Sequence, residues 1–152
     1  MLKHIDNVKE FMNLASQDVP ATLTIPSESD RKLRAKLILE EAFELIEKGL
    51  GVEVSIPNGA DYLDVEQLEY QCVMEVDPVE AMDGAVDTLW VGVTGVAAIF
   101  GLTDKLEACI AEVDRSNLSK FIDGYRREDG KWQKGPSYSP ADLKTIIYGD
   151  PS

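Results

Sequence analysis

Apolar residues recur along most of this chain at helical spacing. Ile5, Val8, Phe11, Met12 and Ala15 predict an amphipathic first helix over residues 5–15. A second helix is expected over residues 28–48. Ser27 followed by Asp30 resembles a capping box with Asp in place of the usual Glu, and Gly49 and Gly51 end the helix. Within it, Leu39, Ala42, Phe43 and Ile46 fall on one side. Glu40, Glu44 and Glu47 follow i, i+4, i+7 on the other, with Glu41 and Glu44 at i, i+3. Asp77 as N-cap and Pro78 at the first helical position open a third helix that runs to about residue 100 and stops at Gly101. Its first half carries a second acidic stripe, Glu80, Asp83 and Asp87. Its second half is apolar nearly all round and is expected at the centre of the core. Gly92 and Gly95, each costing ~1 kcal/mol against Ala in a helix, make sense where another helix approaches closely.

Thr103 is expected to cap a fourth helix, residues 104–115, with Leu106, Cys109, Ile110 and Val113 on its inner face. Ser139-Pro140 is expected to start a last short helix over 141–148. Between these helices the pattern weakens. Residues 19–26 hold two prolines and read as an extended connector. Residues 52–56 alternate as a strand does, and Pro57-Asn58-Gly59 signals a turn, so 52–76 reads as an insertion with room for a small hairpin, its 64–76 part either a short helix or irregular. After residue 116 the chain changes character. Arg115, Lys120, Arg126, Arg127, Lys131 and Lys134 are six of the fifteen basic residues, and turns are expected at Asp129-Gly130 and Gly135-Pro136.

The 152 residues suffice for one domain with its own core. A formal net charge of −13 argues against a general nucleic-acid or membrane surface. Cys72 and Cys109 match no zinc spacing and form no disulfide framework. The start of the chain shows no signal-peptide apolar region, and the apolar run 86–102 is shorter than the ~20 residues a membrane-spanning helix needs. A soluble, cytoplasmic protein is the simplest expectation. His4, the only histidine, is expected to be an exposed surface residue.

The order of charges along the second helix carries information. Arg31, Lys32, Arg34 and Lys36 crowd its first half and the glutamates its second, the reverse of what the helix dipole favours. A sequence that accepts this cost has another use for the glutamates. If the two acidic stripes face one another, they form an all-oxygen site suited to Mg²⁺ or Mn²⁺. Carboxylates that bind a hard cation, together with a basic loop that binds anions, suit a polyphosphate bridged through the cation. Neither Gly-x-x-x-x-Gly-Lys nor Gly-x-Gly-x-x-Gly occurs, so this is not a P-loop pattern.

These residues also resemble a known family. Glu40-Glu41-Ala42-Phe43-Glu44 is similar to the Glu-Glu-x-x-Glu signature of the all-α NTP pyrophosphohydrolases, the MazG-like superfamily that includes dimeric dUTPases and phosphoribosyl-ATP pyrophosphohydrolases. Asp83-Gly84-Ala85-Val86-Asp87 resembles its second acidic helix. The segment from Glu112 through Asn117-Leu118-Ser119-Lys120, then Asp129-Gly130-Lys131 and the stretch from Lys134 to Pro140, resembles its substrate-side segment. The resemblance covers roughly residues 31–143. It implies a single all-α domain over 1–152, a four- to five-helix bundle, assembled as a homodimer or homotetramer. It implies Mg²⁺-dependent hydrolysis of a nucleoside triphosphate, a dNTP such as dUTP among the family's substrates, to the monophosphate and pyrophosphate. On this reading Glu41, Glu44, Asp83 and Asp87 are metal ligands, and Glu40 and Glu41 are catalytic, Glu40 as a ligand or as the base that orients water. Asn117 and Lys120 contact sugar or phosphate, with Arg115, Lys131, Lys134 and Tyr138 as further substrate contacts. The chain departs from the pattern at Gly84, where the family has Glu; Asp83, or Glu80 in a second register, would replace it.

Other readings of the same residues stay open. The glutamates of the second helix could form a solvated face paired with Lys36 and Lys48. Tyr138 and Trp132 could stack on a base or simply pack the tail. A ferritin-like di-iron bundle needs Glu-x-x-His pairs, which a chain with one histidine does not have. A non-catalytic nucleotide-binding or interaction protein on the same bundle is the alternative that Gly84 keeps alive.

Overall fold

The computed structural model describes residues 1–128 and 130–149, and it is mostly helical. Asp129, which the expected turn and the Asp129-Gly130-Lys131 motif include, lies outside the described residues. Helix α1 spans Leu2–Leu14 and α2 spans Glu28–Glu44. Helix α2 continues through a wider π-helical turn, Leu45–Gly49, in which the Leu50 N–H reaches back to the Leu45 carbonyl at 3.0 Å. Helix α3, Pro78–Thr88, likewise runs through a π-helical segment, Leu89–Thr94, into α4, Gly95–Ile99. Asp77 caps it as expected, its carboxylate accepting the Val79 N–H at 2.8 Å.

The α3–α4 rod is central. Helix α2 with its π turn packs along α3, and α1 packs on α4. Val8 and Met12 of α1 meet Ala98 and Ile99 of α4 in the buried core, with Val19, Trp90 and Phe100 around them. The continuous rod Pro78–Ile99 is 22 residues and, by length and composition alone, long and apolar enough to cross a membrane. Here it serves as the helix against which α1 and α2 pack. The connector after α1 crosses the end of α4, where Thr24 N–H bonds the Phe100 carbonyl at 3.1 Å. Gly101 makes that crossing possible: its φ is +66°, and a Cβ there would lie 2.1 Å from the Thr22 carbonyl oxygen.

Glycines also set how closely α2 and α3 approach. A Cβ on Gly49 would lie 2.6 Å from Ala81 Cα, and one on Gly84 would lie 3.0 Å from Leu45 Cα. At Gly95 it would meet the Arg34 guanidinium at 2.4 Å, whereas at Gly92 its nearest neighbour, Ile38 Cγ1, is 3.8 Å away. The expected close approach therefore holds at Gly95, which makes room for Arg34, and not at Gly92. This packing overrides the apolar face read from α2. Arg34 and Gly49 are buried, and Leu37, Ile38, Glu41 and Leu45 are half-buried, all on the side that meets the rod. Leu39 and Phe43 face outward and are more than half exposed.

Other expectations need correcting. His4 is not a free surface residue: its Nε2 lies 2.9 Å from Thr94 Oγ1, and its ring stands edge-on to Trp90 at 5.4 Å. Thr103 does not cap the fourth helix. Helix α5 spans Leu106–Ser119 with no side-chain cap, and it buries Ser116 and Ser119 rather than Val113. The insertion holds a hairpin, β1 (Val52–Ser55) antiparallel to β2 (Glu69–Cys72), with a 3₁₀ turn at Val65–Gln67. In the tail, β3 (Tyr125–Arg126) pairs with β4 (Trp132–Gln133), where only turns were expected. Helix α6 spans Leu143–Tyr148, capped by Asp142 rather than by Ser139. Lys105 Nζ closes its far end, donating to the Ile146 and Ile147 carbonyls at 3.0 and 2.7 Å.

The glycine contacts give a paired prediction. Gly49→Ala should lower stability by about 1–3 kcal/mol, because the added methyl meets backbone. Gly92→Ala should be neutral or stabilising by up to about 1 kcal/mol, because space exists and helix propensity improves. Thermal melts of the two variants beside the native chain check this, at about 2–4 °C per kcal/mol for a chain this size. Equal effects would contradict the assigned crossing.

Candidate functional site

The close crossing of α2 and α3 brings the two acidic stripes together. Glu41 and Glu44 from α2, and Glu80, Asp83 and Asp87 from α3, line one small cavity of about 20 Å³, with Lys48 and Gly84. Such a space is on the scale of a single water or ion. Glu41 and Asp87 are half-buried, and Glu44, Glu80 and Asp83 are exposed. Gly84 is buried at the contact with Leu45, where an added Cβ would lie 3.0 Å from Leu45 Cα, so any longer side chain requires α2 to give way. That crowding disfavours a carboxylate at position 84. Asp83 and Glu80, one helical turn apart, both stand at the cavity instead.

The electrostatics follow from this crowding. Burial, then the charges of Asp87, Glu44, Glu40 and Asp83 in that order, push the Glu41 carboxyl above its ordinary pKa. Lys48 donates to Glu44 Oε2 at 2.8 Å, and Glu44, with Glu80 and Glu47 behind it, holds the ammonium above the usual lysine range. Glu44 is thus paired with Lys48, as the solvated-face reading expected, yet it also borders the cavity. Among the described residues, no three Asp, Glu, His or Cys side chains converge closely enough to hold a metal as they stand. Like charges repel, and three of the five carboxylates, Glu44, Glu80 and Asp83, are on exposed side chains. The all-oxygen donor set suits Mg²⁺ or Mn²⁺. Glu40 is exposed and outside the cavity lining, adjacent to Glu41.

Sequence reasoning missed a larger neighbour. A pocket of about 590 Å³ opens between α1, α2 and α3, and Glu41 and Asp87 belong to its wall as well. Phe11, Met12, Leu33, Arg34, Leu37 and Trp90 supply most of the rest. The signal was present: Arg34 stands seven residues before Glu41 on the same helix face, and Trp90 three after Asp87.

The tail residues gather elsewhere. Lys120 Nζ donates to Asn117 Oδ1 at 2.7 Å, and the Lys120 carbonyl accepts from Trp132 Nε1 at 2.7 Å. Lys134 Nζ sits 4.1 Å above the Tyr138 ring. A hydrogen bond with Ser116, then one with Lys134, hold the Tyr138 phenol below its ordinary pKa. Arg115 grips Glu112 at 2.7 and 2.8 Å and the Pro140 carbonyl at 3.1 Å. Together with the Asp142 N–H, that grip pulls the Glu112 carboxyl down to about 2. Lys131 reaches Glu66 of the insertion at 3.2 Å. Trp132 packs on Phe121, ring centres 4.8 Å apart. None of Arg115, Asn117, Lys120, Lys131, Lys134 and Tyr138 lines the acidic cavity. Arg115 in particular is engaged in holding α5 to the segment before α6.

The chain matches no protein-family model, and no curated protein shows significant similarity to it.

Five carboxylates crowded around one lysine predict an unusual mutant. Glu41→Gln should raise the melting temperature of the metal-free protein by about 1–4 °C, since it removes repulsion and a buried charge. It should also abolish any stabilisation by millimolar Mg²⁺. Differential scanning calorimetry with EDTA and with Mg²⁺ reads both effects. A variant destabilised in EDTA, or still stabilised by Mg²⁺, would contradict this electrostatic reading.

Proposed function

We propose that this chain is an Mg²⁺-dependent nucleoside triphosphate pyrophosphohydrolase with the MazG-like type of helical bundle. The observation that carries the reading is the facing of Glu41 and Glu44 with Asp83 and Asp87 across one ion-sized cavity. The adjoining pocket, of a size that suits a small ligand, supports it. The order of the sequence motifs supports it independently.

Glu41, Glu44, Asp83 and Asp87 would hold the cation, with Glu80 as the alternative to Asp83. A divalent cation bound there supplies charge neutralisation on the triphosphate and acidifies water. Glu40, or its neighbour Glu41, would take the proton from the attacking water. The water oxygen bonds to phosphorus of the α–β anhydride and the bridging P–O bond breaks. One triphosphate and one water thus give one monophosphate and one pyrophosphate. Lys48 is placed to offset negative charge at the Glu44 edge of the cavity.

The exposed surface supports an oligomer. The chain exposes 10749 Å², against roughly 7,700 Å² expected for a compact monomer of its mass. Phe11, Leu14, Leu39, Phe43, Val79 and Met82 are among its exposed apolar side chains. An obligate dimer interface, which buries roughly 1,000–2,500 Å² per chain, would take up most of this difference. In such an assembly Lys120 and Lys134 of a second copy would supply the basic charge that one chain's own tail does not bring to the cavity.

One observation favours a second reading, a non-catalytic nucleotide-binding or interaction module: among the described residues, no three candidate ligands are already drawn together. Pyrophosphate release from a panel of ribo-, deoxy- and non-canonical triphosphates separates the two. Turnover should require Mg²⁺, stop with EDTA, and fall at least about 100-fold in Glu41→Gln/Glu44→Gln. Silence across the panel, or activity that survives EDTA or the substitutions, would overturn the enzymatic reading. Light scattering after gel filtration should give a mass at least twice 16.8 kDa; a monomeric mass would contradict the assembly.

A further inference from the structure

The pocket between α1, α2 and α3 contains a feature that the hydrolytic chemistry does not use. Arg34 is buried at 5% exposure, yet none of its bonding partners is a carboxylate. Its Nη1 donates to the Val91 carbonyl at 3.4 Å. Its Nη2 donates to Met12 Sδ at 3.6 Å and to Gln17 Oε1 at 3.0 Å. Its Nε–H is buried and has no partner. A buried donor left unsatisfied is unfavourable, and a ligand reaches this one only if the guanidinium turns toward the pocket that Arg34 lines. Gly95 leaves the space in which this guanidinium lies.

The rest of the wall indicates what would complete it. Phe11 and Trp90 stand edge-to-face at 5.9 Å, and Trp90 is braced from behind by His4 at 5.4 Å. An aromatic, mostly apolar wall suits a flat heterocycle. Gln17 gives its carbonyl oxygen to Arg34, which leaves its amide NH₂ as a further donor. The polar groups of the Arg34 wall are therefore hydrogen-bond donors, and the acceptors Glu41 and Asp87 lie on the side shared with the acidic cavity. A ligand that spans the two places would put an acceptor-bearing ring against Arg34 and its phosphates toward the carboxylates.

We propose that this pocket takes the nucleobase of the triphosphate, and that Arg34, with Gln17, selects bases with a carbonyl at the pyrimidine 4-position or the purine 6-position, such as uracil, thymine, guanine or hypoxanthine, over cytosine and adenine, which carry an amino group there. The proposal deepens the hydrolytic reading and rests on it for the identity of the ligand. An amino group set against these donors would leave both sides unpaired, which is the condition under which hydrogen-bonding sites discriminate strongly.

Two measurements test it on the full-length chain. The first is the ratio of kcat/KM for dUTP over dCTP, and for dITP over dATP, with Mg²⁺. The second is binding of dUMP, dCMP, IMP, AMP and inorganic phosphate without metal, by calorimetry. Native protein should favour the carbonyl bases by about 10-fold or more in both. Arg34→Met, a replacement of similar length that keeps the site filled, should bring the ratios near one. Ala15→Trp, at an exposed position on the pocket wall, should weaken all the monophosphates by about 10-fold or more and leave the Mg²⁺-induced thermal shift unchanged.

The outcomes separate the two claims. Turnover with no carbonyl preference, or Ala15→Trp without effect on binding, overturns the base pocket and leaves the hydrolytic reading intact. Carbonyl-selective monophosphate binding that Arg34→Met abolishes, with no turnover of any triphosphate, upholds the pocket and overturns hydrolysis. Inorganic phosphate binding that competes with dUMP and is lost in Arg34→Met makes Arg34 an anion clamp and overturns the proposal.

Discussion

Everything that matters in this molecule depends on a repulsion that packing enforces. Glu41, Glu44, Glu80, Asp83 and Asp87 stand around one small space because α2 and α3 are locked together at Gly49–Ala81 and Leu45–Gly84, where no side chain separates the backbones. The carboxylates would separate if the helices could. The glycines, the π-helical turns beside them and the apolar rod that α1 covers hold the helices in place. Burial and neighbouring charge raise the proton affinity of Glu41, which is how that enforced crowding is expressed. π-helical turns are rare and recur at functional sites; here both occur in the two helices that carry the carboxylates.

Much of this was legible in the sequence, for identifiable reasons. Asp77-Pro78, the apolar run after Asp87 and the Ser27 cap marked helices whose local chemistry and tertiary role agree. The two acidic stripes were visible as spacing. The inward face of α2 was not. A count of apolar residues chose Leu39 and Phe43, whereas the glycine contacts and buried Arg34 turned the Arg34–Glu41–Leu45 side toward the rod. Periodicity weighs side chains by hydrophobicity and cannot see that a close backbone crossing outweighs two exposed apolar residues. Gly84 read as a lost ligand; in the fold it lies at the close contact that brings the two acidic stripes together. His4 read as surface because its partner, Thr94, lies ninety residues away.

The tail was legible only in composition. Its basic residues were correctly seen as a cluster, but they pair locally. Lys120 bonds Asn117, Lys134 covers Tyr138, and Arg115 fastens Glu112 and Pro140. Two-residue strands such as β3 and β4 carry too little pattern to read from sequence. A cluster of cations in one part of the chain and of carboxylates in another, on a surface larger than a compact monomer of this mass should have, is what one subunit of a larger assembly would look like.

A metal site on the α2–α3 carboxylates that serves phosphate chemistry would hold a divalent cation against bound phosphate. The most direct measurement is anomalous diffraction at the manganese edge from crystals of the full chain grown with Mn²⁺ and a non-hydrolysable triphosphate. This account predicts a manganese peak bounded by Glu41, Glu44, Asp87 and either Asp83 or Glu80, in contact with phosphate oxygens. Bound nucleotide with manganese held elsewhere, or no manganese peak between α2 and α3, would contradict it.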